Sequence, residues 1–378
     1  MSKDLRSEFV KKAVESIKAN KAMPTELSRP LAPKPKIFSD RLNVALKHSV
    51  ENLADELCAF ERKFVNNNAE LLWMNDFNDV FECLKRLKNE VKTKEIDLLD
   101  SINNPLFKEL GIKSFIEDKK IHISPKAPLQ LMKADMMISE TGQILLVDKD
   151  FDYIEKLHNS KTNIFITTVD RIVSSLNYAE EYSRYVRMSY ASESIPQMRF
   201  TLFGSSLNCK TYLLVVDNQR SELLKQKVQR QALTCVGCGR CEIVCPVDQL
   251  IGKKPYDNVF TGPIARVMLP YLEDDYVYGH VVYACTLCGR CEDVCPVSLP
   301  LRDMILATRQ DFFEHGKMDA ERKQAYLKHR KYVKDRKRLN RSGWLKQKIL
   351  SRNLSRELRE RIYQPKFADK TFNQTQGS

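Results

Sequence analysis

The chain has 378 residues, of which 43% are hydrophobic and 29% charged, the balance of a globular protein that can bury two or three cores. Its net charge of +13 lies in the C-terminal segment, since residues 317–378 hold 19 Lys and Arg against 6 Asp and Glu. The rest of the chain carries no net charge, which argues against a nucleic-acid-binding function for the whole protein.

No export or membrane signal is evident in the sequence. The first 21 residues are charged and helix-prone, and no stretch approaches the ~20 apolar residues of a membrane-spanning helix. Eleven cysteines then fit a reducing compartment, where thiols stay available as thiolates. We therefore expect a cytoplasmic protein, with peripheral attachment to the inner face of the membrane as an option.

Residues 1–68 predict a helical N-terminal region. Apolar residues recur near the 3.6-residue period across residues 39–63, with Ser39 or Asp40 as a candidate N-cap. Four prolines fall within residues 24–35, which indicates a loop or an arm.

Residues 69–222 predict an α/β domain with a largely buried sheet. Helices are expected at residues 77–88 and 170–185, and apolar strands at residues 143–147, 163–168 and 211–216. Short apolar strands that alternate with helices are typical of such a domain.

Residues 223–312 contain a repeat offset by 50 residues. The segment CVGCGRCEIVCPV, which begins at Cys235, matches CTLCGRCEDVCPV, which begins at Cys285, at ten of thirteen positions. Both have the bacterial ferredoxin spacing C-x2-C-x2-C-x3-C-P, and Gly239 and Gly289 let each loop pass close to a cluster with its amides facing the sulfurs. The sequence therefore predicts two [4Fe–4S] clusters.

The fourth cysteine of each run ligates the other cluster in two-cluster ferredoxins. We therefore assign Cys235, Cys238, Cys241 and Cys295 to the first cluster, and Cys285, Cys288, Cys291 and Cys245 to the second. The alternatives are structural zinc, which prefers paired C-x2-C knuckles, and disulfides. Two runs of four cysteines that each end in Cys-Pro suit neither.

The segment between the two runs is longer than in a small ferredoxin. It contains Gly262-Pro263, which predicts the start of a short helix over residues 264–269 that Pro270 ends. We therefore expect an α-helical ferredoxin-like domain, followed by a basic helical tail over residues 313–378.

The order of features over roughly residues 50–312 resembles the LutB-type iron–sulfur proteins of lactate utilisation, which contain a LUD domain. The residues that carry the resemblance, besides the cysteine runs, are Ala134-Asp135, Glu140–Leu146, Val215–Ser221, Thr261–Ile264 and Pro300–Asp303. It implies an α/β LUD domain similar to the sugar-phosphate isomerase and CoA-transferase fold. It also implies a role in oxidising L-lactate to pyruvate, with a Cys-rich partner subunit and a second LUD-domain partner.

Several residues outside the runs have two interpretations. Glu140 is either a catalytic carboxylate or a turn residue that holds backbone amides, and we favour the turn. Cys58 and Cys83 lie on helical patterns and are expected to be packed thiols, whereas Cys209 could be exposed. His280 could tune the second cluster, although a packed or surface histidine is the favoured interpretation.

The repeated arginines and the tail also leave alternatives open. Arg240 and Arg290 either tune the clusters or pair with Glu242 and Glu292. The basic tail either docks an acidic partner subunit or an anionic membrane surface, or is a solvated helix.

Three hypotheses for function follow. The leading one is an electron-transfer subunit of a complex that oxidises lactate or a related 2-hydroxy acid, without turnover of its own, since the 12 glycines form no G-x-G-x-x-G nucleotide fingerprint. The second is a LUD-domain enzyme that acts on an acyl or phosphate substrate near Glu140. The third is an interaction module that uses its clusters structurally or for redox sensing.

Overall fold

The computed structural model describes residues 2–19, 36–99, 105–119, 121–125, 127–148, 153–190, 199–203, 209–256, 258, 260–273, 278–315 and 320–334. The chain divides into two compact units, residues 1–310 and 311–378. The predicted arm at residues 24–35 lies outside the described residues. Within the described ranges, no helix combines the length and the apolar character needed to cross a membrane.

The strands of the described residues all belong to the first unit. They are β1 Glu70–Met74, β2 Glu95–Leu98, β3 His122–Ile123, β4 Leu129–Lys133, β5 Met136–Ile138, β6 Gln143–Asp148, β7 Thr162–Thr168, β8 Ile172–Val173, β9 Arg199–Phe203 and β10 Lys210–Val216.

The helices occur in both units. They are α1 Ser2–Ala19, α2 Lys36–Glu51, α3 Leu53–Asn66, α4 Phe77–Val91, α5 Pro105–Glu109, α6 Ile112–Asp118, α7 Tyr153–Asn159, α8 Leu176–Tyr190, α9 Arg220–Leu224, α10 Arg240–Ile243, α11 Pro246–Ile251, α12 Gly262–Leu272, α13 Arg290–Asp293, α14 Leu301–Glu314 and α15 Ala320–Val333.

The strands form two sheets. The larger sheet has the order β1-β10-β7-β4-β2-β3, and every neighbouring pair in it is parallel. The smaller sheet has the order β8-β5-β6-β9, in which β6 is antiparallel to both of its neighbours. Parallel strands require helical crossovers, which cover the faces of the larger sheet.

Strand β10, which pairs with a neighbour on each side, shows how the large sheet is buried on both faces. Tyr212, Leu214 and Val216 point into one apolar core, together with residues of α4 and α6. Leu213 and Val215 point into a second core, which α3 and the smaller sheet complete. Because successive side chains of a strand alternate between faces, a continuous apolar strand needs a core on each side. The predicted α/β domain with a buried sheet is confirmed.

The strands predicted at residues 143–147, 163–168 and 211–216 are confirmed as β6, β7 and β10, and the helix at 77–88 as α4. The single helix predicted over residues 39–63 is wrong. The chain forms α2 and α3, which break at Asn52, whose side-chain amide donates to the His48 carbonyl oxygen at 2.9 Å. Neither Ser39 nor Asp40 is an N-cap, because both lie inside α2.

The helix predicted at residues 170–185 begins later than expected. Residues Ile172 and Val173 form β8 instead, which pairs with β5, and the helix α8 starts at Leu176. Both β8 side chains are fully buried, and the Glu140 carboxylate accepts the Leu176 N–H at 2.9 Å where the helix begins. Tertiary packing and this acceptor set the helix start, which periodicity alone does not show.

A buried ion network joins α5, the end of β7 and α9. The Arg220 guanidinium lies 2.8 Å from Asp170 Oδ1 and 2.9 Å from Glu109 Oε1. Asn218 and Gln219 have left-handed backbone at φ of 42° and 63°, and this turn directs Arg220 into the protein. The two carboxylates compensate the charge of the buried guanidinium. Arg220, which belongs to the segment Val215–Ser221 that carries the resemblance, therefore has a structural role here.

Gly142, in the Glu-Thr-Gly patch, lies where α3 crosses the turn between β5 and β6. Its φ is +68°, and a Cβ atom there would meet Lys63 Cβ at 2.6 Å and backbone atoms at 2.8 Å. Lys63 in turn donates from Nζ to the Glu140 carbonyl oxygen at 2.6 Å. Only glycine permits this approach of helix and turn.

We predict that Gly142→Ala destabilises the protein more than Gly111→Ala. Both glycines have positive φ, at +68° and +62°, but a Cβ at Gly111 meets only Phe81, at an ordinary 3.5 Å. The left-handed backbone costs each variant about 1–2 kcal/mol, and the clash with α3 adds about 1–3 kcal/mol at Gly142 alone. Urea unfolding of both full-length variants measures the difference. Equal losses would show that α3 does not press on this turn.

Candidate metal centre

Each cysteine loop is curled by two residues with left-handed backbone. In the first loop these are Gly237 and Gly239, at φ of 68° and 70°, and in the second they are Leu287 and Gly289, at 58° and 81°. The sequence predicted this role for Gly239 and Gly289. It did not reveal Leu287, because leucine rarely adopts positive φ and gives no signal for it.

The curled loops turn backbone amides toward cysteine sulfurs, as predicted. The Gly237 N–H donates to Cys235 Sγ at 3.4 Å, and the Leu287 N–H donates to Cys285 Sγ at 3.3 Å. The two bonds occupy equivalent positions of the repeat. Amide dipoles that face a sulfur offset the negative charge of a metal-bound thiolate.

The sulfur atoms of the first predicted set lie close together. Burial and the neighbouring Cys238 and Cys295 raise the pKa of the Cys235 thiol to about 12. Burial, Cys235, Cys238 and Cys295 also raise the pKa of Cys241 well above its usual value. Crowded thiols such as Cys235 and Cys241 can bind as thiolates only if a cationic core neutralises them, and the iron of a cluster supplies that charge.

The second predicted set lines one cavity. Its walls include Cys285, Cys288 and Cys291 of the second loop together with Cys245 of the first. Burial and then Cys285 raise the pKa of Cys291 to about 12, and Cys245 contributes to the same rise. The fourth cysteine of each run thus lies among the first three of the other run. The ligand sets themselves stay a prediction.

This donor arrangement fits iron–sulfur clusters better than the alternatives. All eleven cysteines are free thiols. Across the described residues, no three His, Cys, Asp or Glu side chains are arranged to hold a single metal ion. A structural zinc ion draws four ligands to about 2.3 Å, whereas the thiolates of a cubane bind four different irons and stand further apart.

Two arginines from outside the loops hold equivalent backbone oxygens. Arg171, which follows β7, donates from Nη1 to the Cys235 carbonyl oxygen at 2.8 Å. Arg309 of α14 donates to the carbonyl oxygens of Cys285 and Val282, both at 2.9 Å. The first loop is therefore fastened to the α/β domain and the second to the helical domain. Sequence analysis missed both, because nothing in the sequence relates either arginine to a loop.

The helix between the loops, α12, is longer than predicted. Pro270, which removes one helical N–H donor, lies inside it and does not end it, because the helix continues to Leu272. Its start at Gly262-Pro263 is as predicted. Helices between and after the loops confirm the α-helical cluster domain.

Glu140 and the three cysteines outside the loops lie apart from the cysteine sets in sequence, and the structure bears on the predictions made for them. The turn interpretation of Glu140 is confirmed, because its carboxylate accepts the Leu176 N–H. Cys83 is buried as predicted, but the prediction for Cys58 is wrong, since α3 turns it outward to solvent. Cys209 is half-buried and lies 3.3 Å from Asn163 Nδ2.

His280 packs against an aromatic ring. Its ring centroid lies 4.9 Å from that of Phe9 on α1, which supports the packed interpretation.

The glutamates that could pair with the repeated arginines bind other groups. Glu242 accepts a hydrogen bond from the Thr261 hydroxyl at 2.6 Å, and Glu292 accepts one from the Arg302 N–H at 2.7 Å. Tuning of the clusters by the repeated arginines stays a prediction.

Comparison with known proteins agrees with this site. Residues 231–299 match the family of 4Fe-4S dicluster domains. Lactate utilization protein B of Bacillus subtilis is 29% identical over 195 residues, which cover 50% of this chain and 40% of that protein. The protein of the same name from Anoxybacillus flavithermus is 30% identical over 213 residues, which cover 52% of this chain and 44% of that protein.

A crystal structure of a DUF162 family protein from Deinococcus radiodurans aligns with 44% of this chain and 98% of its own, at 17% identity and a TM-score of 0.31. The aligned part of the present chain spans about two fifths of the length of the curated relatives.

Because residues 231–299 match that domain family, the chain carries a 4Fe-4S dicluster domain and binds two [4Fe–4S] clusters. It is an iron–sulfur protein similar to lactate utilization protein B, so the predicted resemblance is confirmed.

Crossed ligation predicts which cysteine variants behave alike. Cys245→Ala removes a thiolate from the second cluster, so its reduced EPR spectrum should match that of Cys288→Ala and differ from that of Cys238→Ala. Exposed Cys58 provides the control, because Cys58→Ser leaves both loops intact. If Cys245→Ala instead resembles Cys238→Ala, each run binds its own cluster.

Proposed function

We propose that the chain is the iron–sulfur electron-transfer subunit of a cytoplasmic, multi-subunit complex that oxidises L-lactate, or a related 2-hydroxy acid, to pyruvate. The observation that carries the proposal is that the fourth cysteine of each run lies beside the thiols of the other run. Similarity to lactate utilization protein B over half the chain supports the substrate class.

The arrangement of the chain suits electron transfer. Bound clusters take up and release single electrons. Cys245 and Cys295 are buried, and each connects one loop to the sulfurs of the other, which keeps the two sites adjacent. Cys288, by contrast, is exposed, so the second site reaches the surface, where a redox partner can approach.

The proposed partners are a Cys-rich redox subunit and a second LUD-domain subunit. In the basic tail, residues 320–334 expose Lys328, Arg330, Lys331 and Lys334. Such a cationic helix suits an acidic surface of a partner subunit, or an anionic membrane surface. The tail would then steer the chain toward its partner, and the association rate would fall as the salt concentration rises.

The enzyme hypothesis has less support. Its candidate residue, Glu140, already uses its carboxylate to hold the Leu176 N–H and its carbonyl to hold Lys63 Nζ. A structural or redox-sensing module uses the same cysteine sets, and only electron flow separates it from the leading proposal.

Reduction by lactate distinguishes the three hypotheses. We predict that dithionite reduces both clusters of the isolated chain, that lactate alone does not, and that lactate does so once the partner subunits are added. Anaerobic EPR spectroscopy measures each state, with Cys58→Ser as a control that should behave as the unmodified chain. Reduction of the isolated chain by lactate would favour an enzyme. Partner binding without any reduction would favour a structural module.

A further inference from the structure

A single charged residue lies in the middle of the apolar helix α12. Arg266 has no exposed surface, and it is the only charged residue of α12. A guanidinium is costly to bury unless it is paired and hydrogen-bonded. Its position therefore needs an explanation, and its contacts provide one.

Arg266 makes three polar contacts. Nη2 lies 2.7 Å from Asp248 Oδ1 of α11 and 2.7 Å from the Tyr256 hydroxyl oxygen, and Nη1 lies 3.4 Å from Cys245 Sγ. The Tyr256 hydroxyl also donates to Asp248 Oδ1 at 2.5 Å. The ion pair and the tyrosine compensate the guanidinium, but neither requires that it also donate to a cysteine of the second set.

Arg266 and its partners Asp248 and Tyr256 are shielded from water. The Asp248 side chain is 2% exposed, and Tyr256 is equally buried at 1%. The ring of Phe9, from the N-terminal helix α1, packs edge-on against Tyr256 with centroids 6.0 Å apart. Electrostatic interactions are stronger in such a low-dielectric environment than at the surface, where solvent screens them.

Only one of the two repeated cysteine loops has this arginine contact. At the offset of 50 residues, Cys245 corresponds to Cys295, and Asp248 corresponds to Ser298, which has no charge. Cys295 Sγ accepts a neutral backbone N–H from Leu299 at 3.4 Å, whereas Cys245 Sγ faces the Arg266 guanidinium, with the Asp248 carboxylate beside it. Two loops of nearly identical sequence therefore present different electrostatic environments to their clusters.

We infer that Arg266 raises the reduction potential of the second cluster above that of the first by donating a charge-assisted hydrogen bond to the Cys245 thiolate. Reduction adds one negative charge to the site, and a cation on a ligand sulfur stabilises that charge more than a neutral amide does. Asp248 opposes the effect, because its carboxylate also lies beside Cys245, but its charge acts on that thiol less strongly than the guanidinium does. Arg266 acts on the cluster through Cys245, and the electron then resides preferentially on the second cluster.

Other arginines near the loops do not cancel this difference. Arg171 and Arg309 both donate to backbone carbonyl oxygens, one at each loop. Arg302 lines the second cavity as Arg266 does, but its side chain is 49% exposed and it pairs with Glu292 at 3.7 Å. Solvent screening leaves such an exposed pair little influence.

Two variants test the inference, because they should shift the potential in opposite directions. Asp248→Asn keeps the cation and removes its counter-charge, so the potential of the second cluster should rise. The double variant Arg266→Gln with Asp248→Asn removes both charges, so the same potential should fall. The first cluster should keep its potential in both variants. If the ion pair had a purely structural role, the two variants would not shift the reduction potential of the second cluster in opposite directions.

The measurement is an anaerobic, EPR-monitored redox titration of the full chain with dithionite. The spectra of Cys238→Ala and Cys288→Ala assign each signal to its cluster, and Arg86→Gln, which removes an exposed cation from α4 of the α/β domain, is the matched control that should leave both potentials unchanged. Unchanged potentials, or shifts of the same sign in both variants, would overturn the inference. If the double variant loses its clusters, Asp248→Asn decides alone: a rise supports the inference, and no change or a fall overturns it.

This inference rests on the proposed electron-transfer function, but its test needs neither lactate nor partner subunits. Failure of lactate to reduce the clusters would therefore contradict the proposed function and leave the assignment of Arg266 standing. Failure of the potentials to shift would overturn only the role of Arg266.

Discussion

The predicted exchange of the fourth cysteine between the two loops is the constraint on which the rest of the structure depends. Cys295 lies among the sulfurs of the first loop and Cys245 among those of the second. With crossed ligation neither site is complete without the other, so the 39 residues between Cys245 and Cys285 must fold back and bring the loops together. The buried helix α12 lies within that segment, next to both loops. Folding of the helical domain and assembly of the metal sites are therefore coupled.

The α/β domain supports this centre mechanically. Arg171 reaches from the end of β7 to the first cysteine loop, and its neighbour Asp170 belongs to the buried network of Arg220 and Glu109. Glu140, the one residue considered for catalysis, holds the start of α8, and Arg220, which helps to carry the resemblance, pairs with buried carboxylates. In the part of the chain that the structure describes, the domain thus holds one iron–sulfur loop in place.

Local and repeated features were predictable from the sequence, and features that depend on distant contacts were not. The cysteine spacing implies two loops, and apolar runs such as residues 163–168 identify buried strands. The start of α8, the exposure of Cys58 and the left-handed Leu287 depend on tertiary packing, which one sequence does not display. Arg266 is an intermediate case. A lone charge within the apolar segment GPIARVMLPYL signals a buried partner, but only the structure shows that the partners include Cys245.

Chemical analysis of the anaerobically purified chain tests the central claim most directly. Two cubanes bound by eight thiolates predict about eight iron and about eight acid-labile sulfide per chain, a brown colour, and after reduction an EPR spectrum broadened by interaction between two neighbouring clusters. A colourless protein free of iron, one that holds zinc instead, or one whose reduced spectrum shows a single isolated cluster would contradict the account.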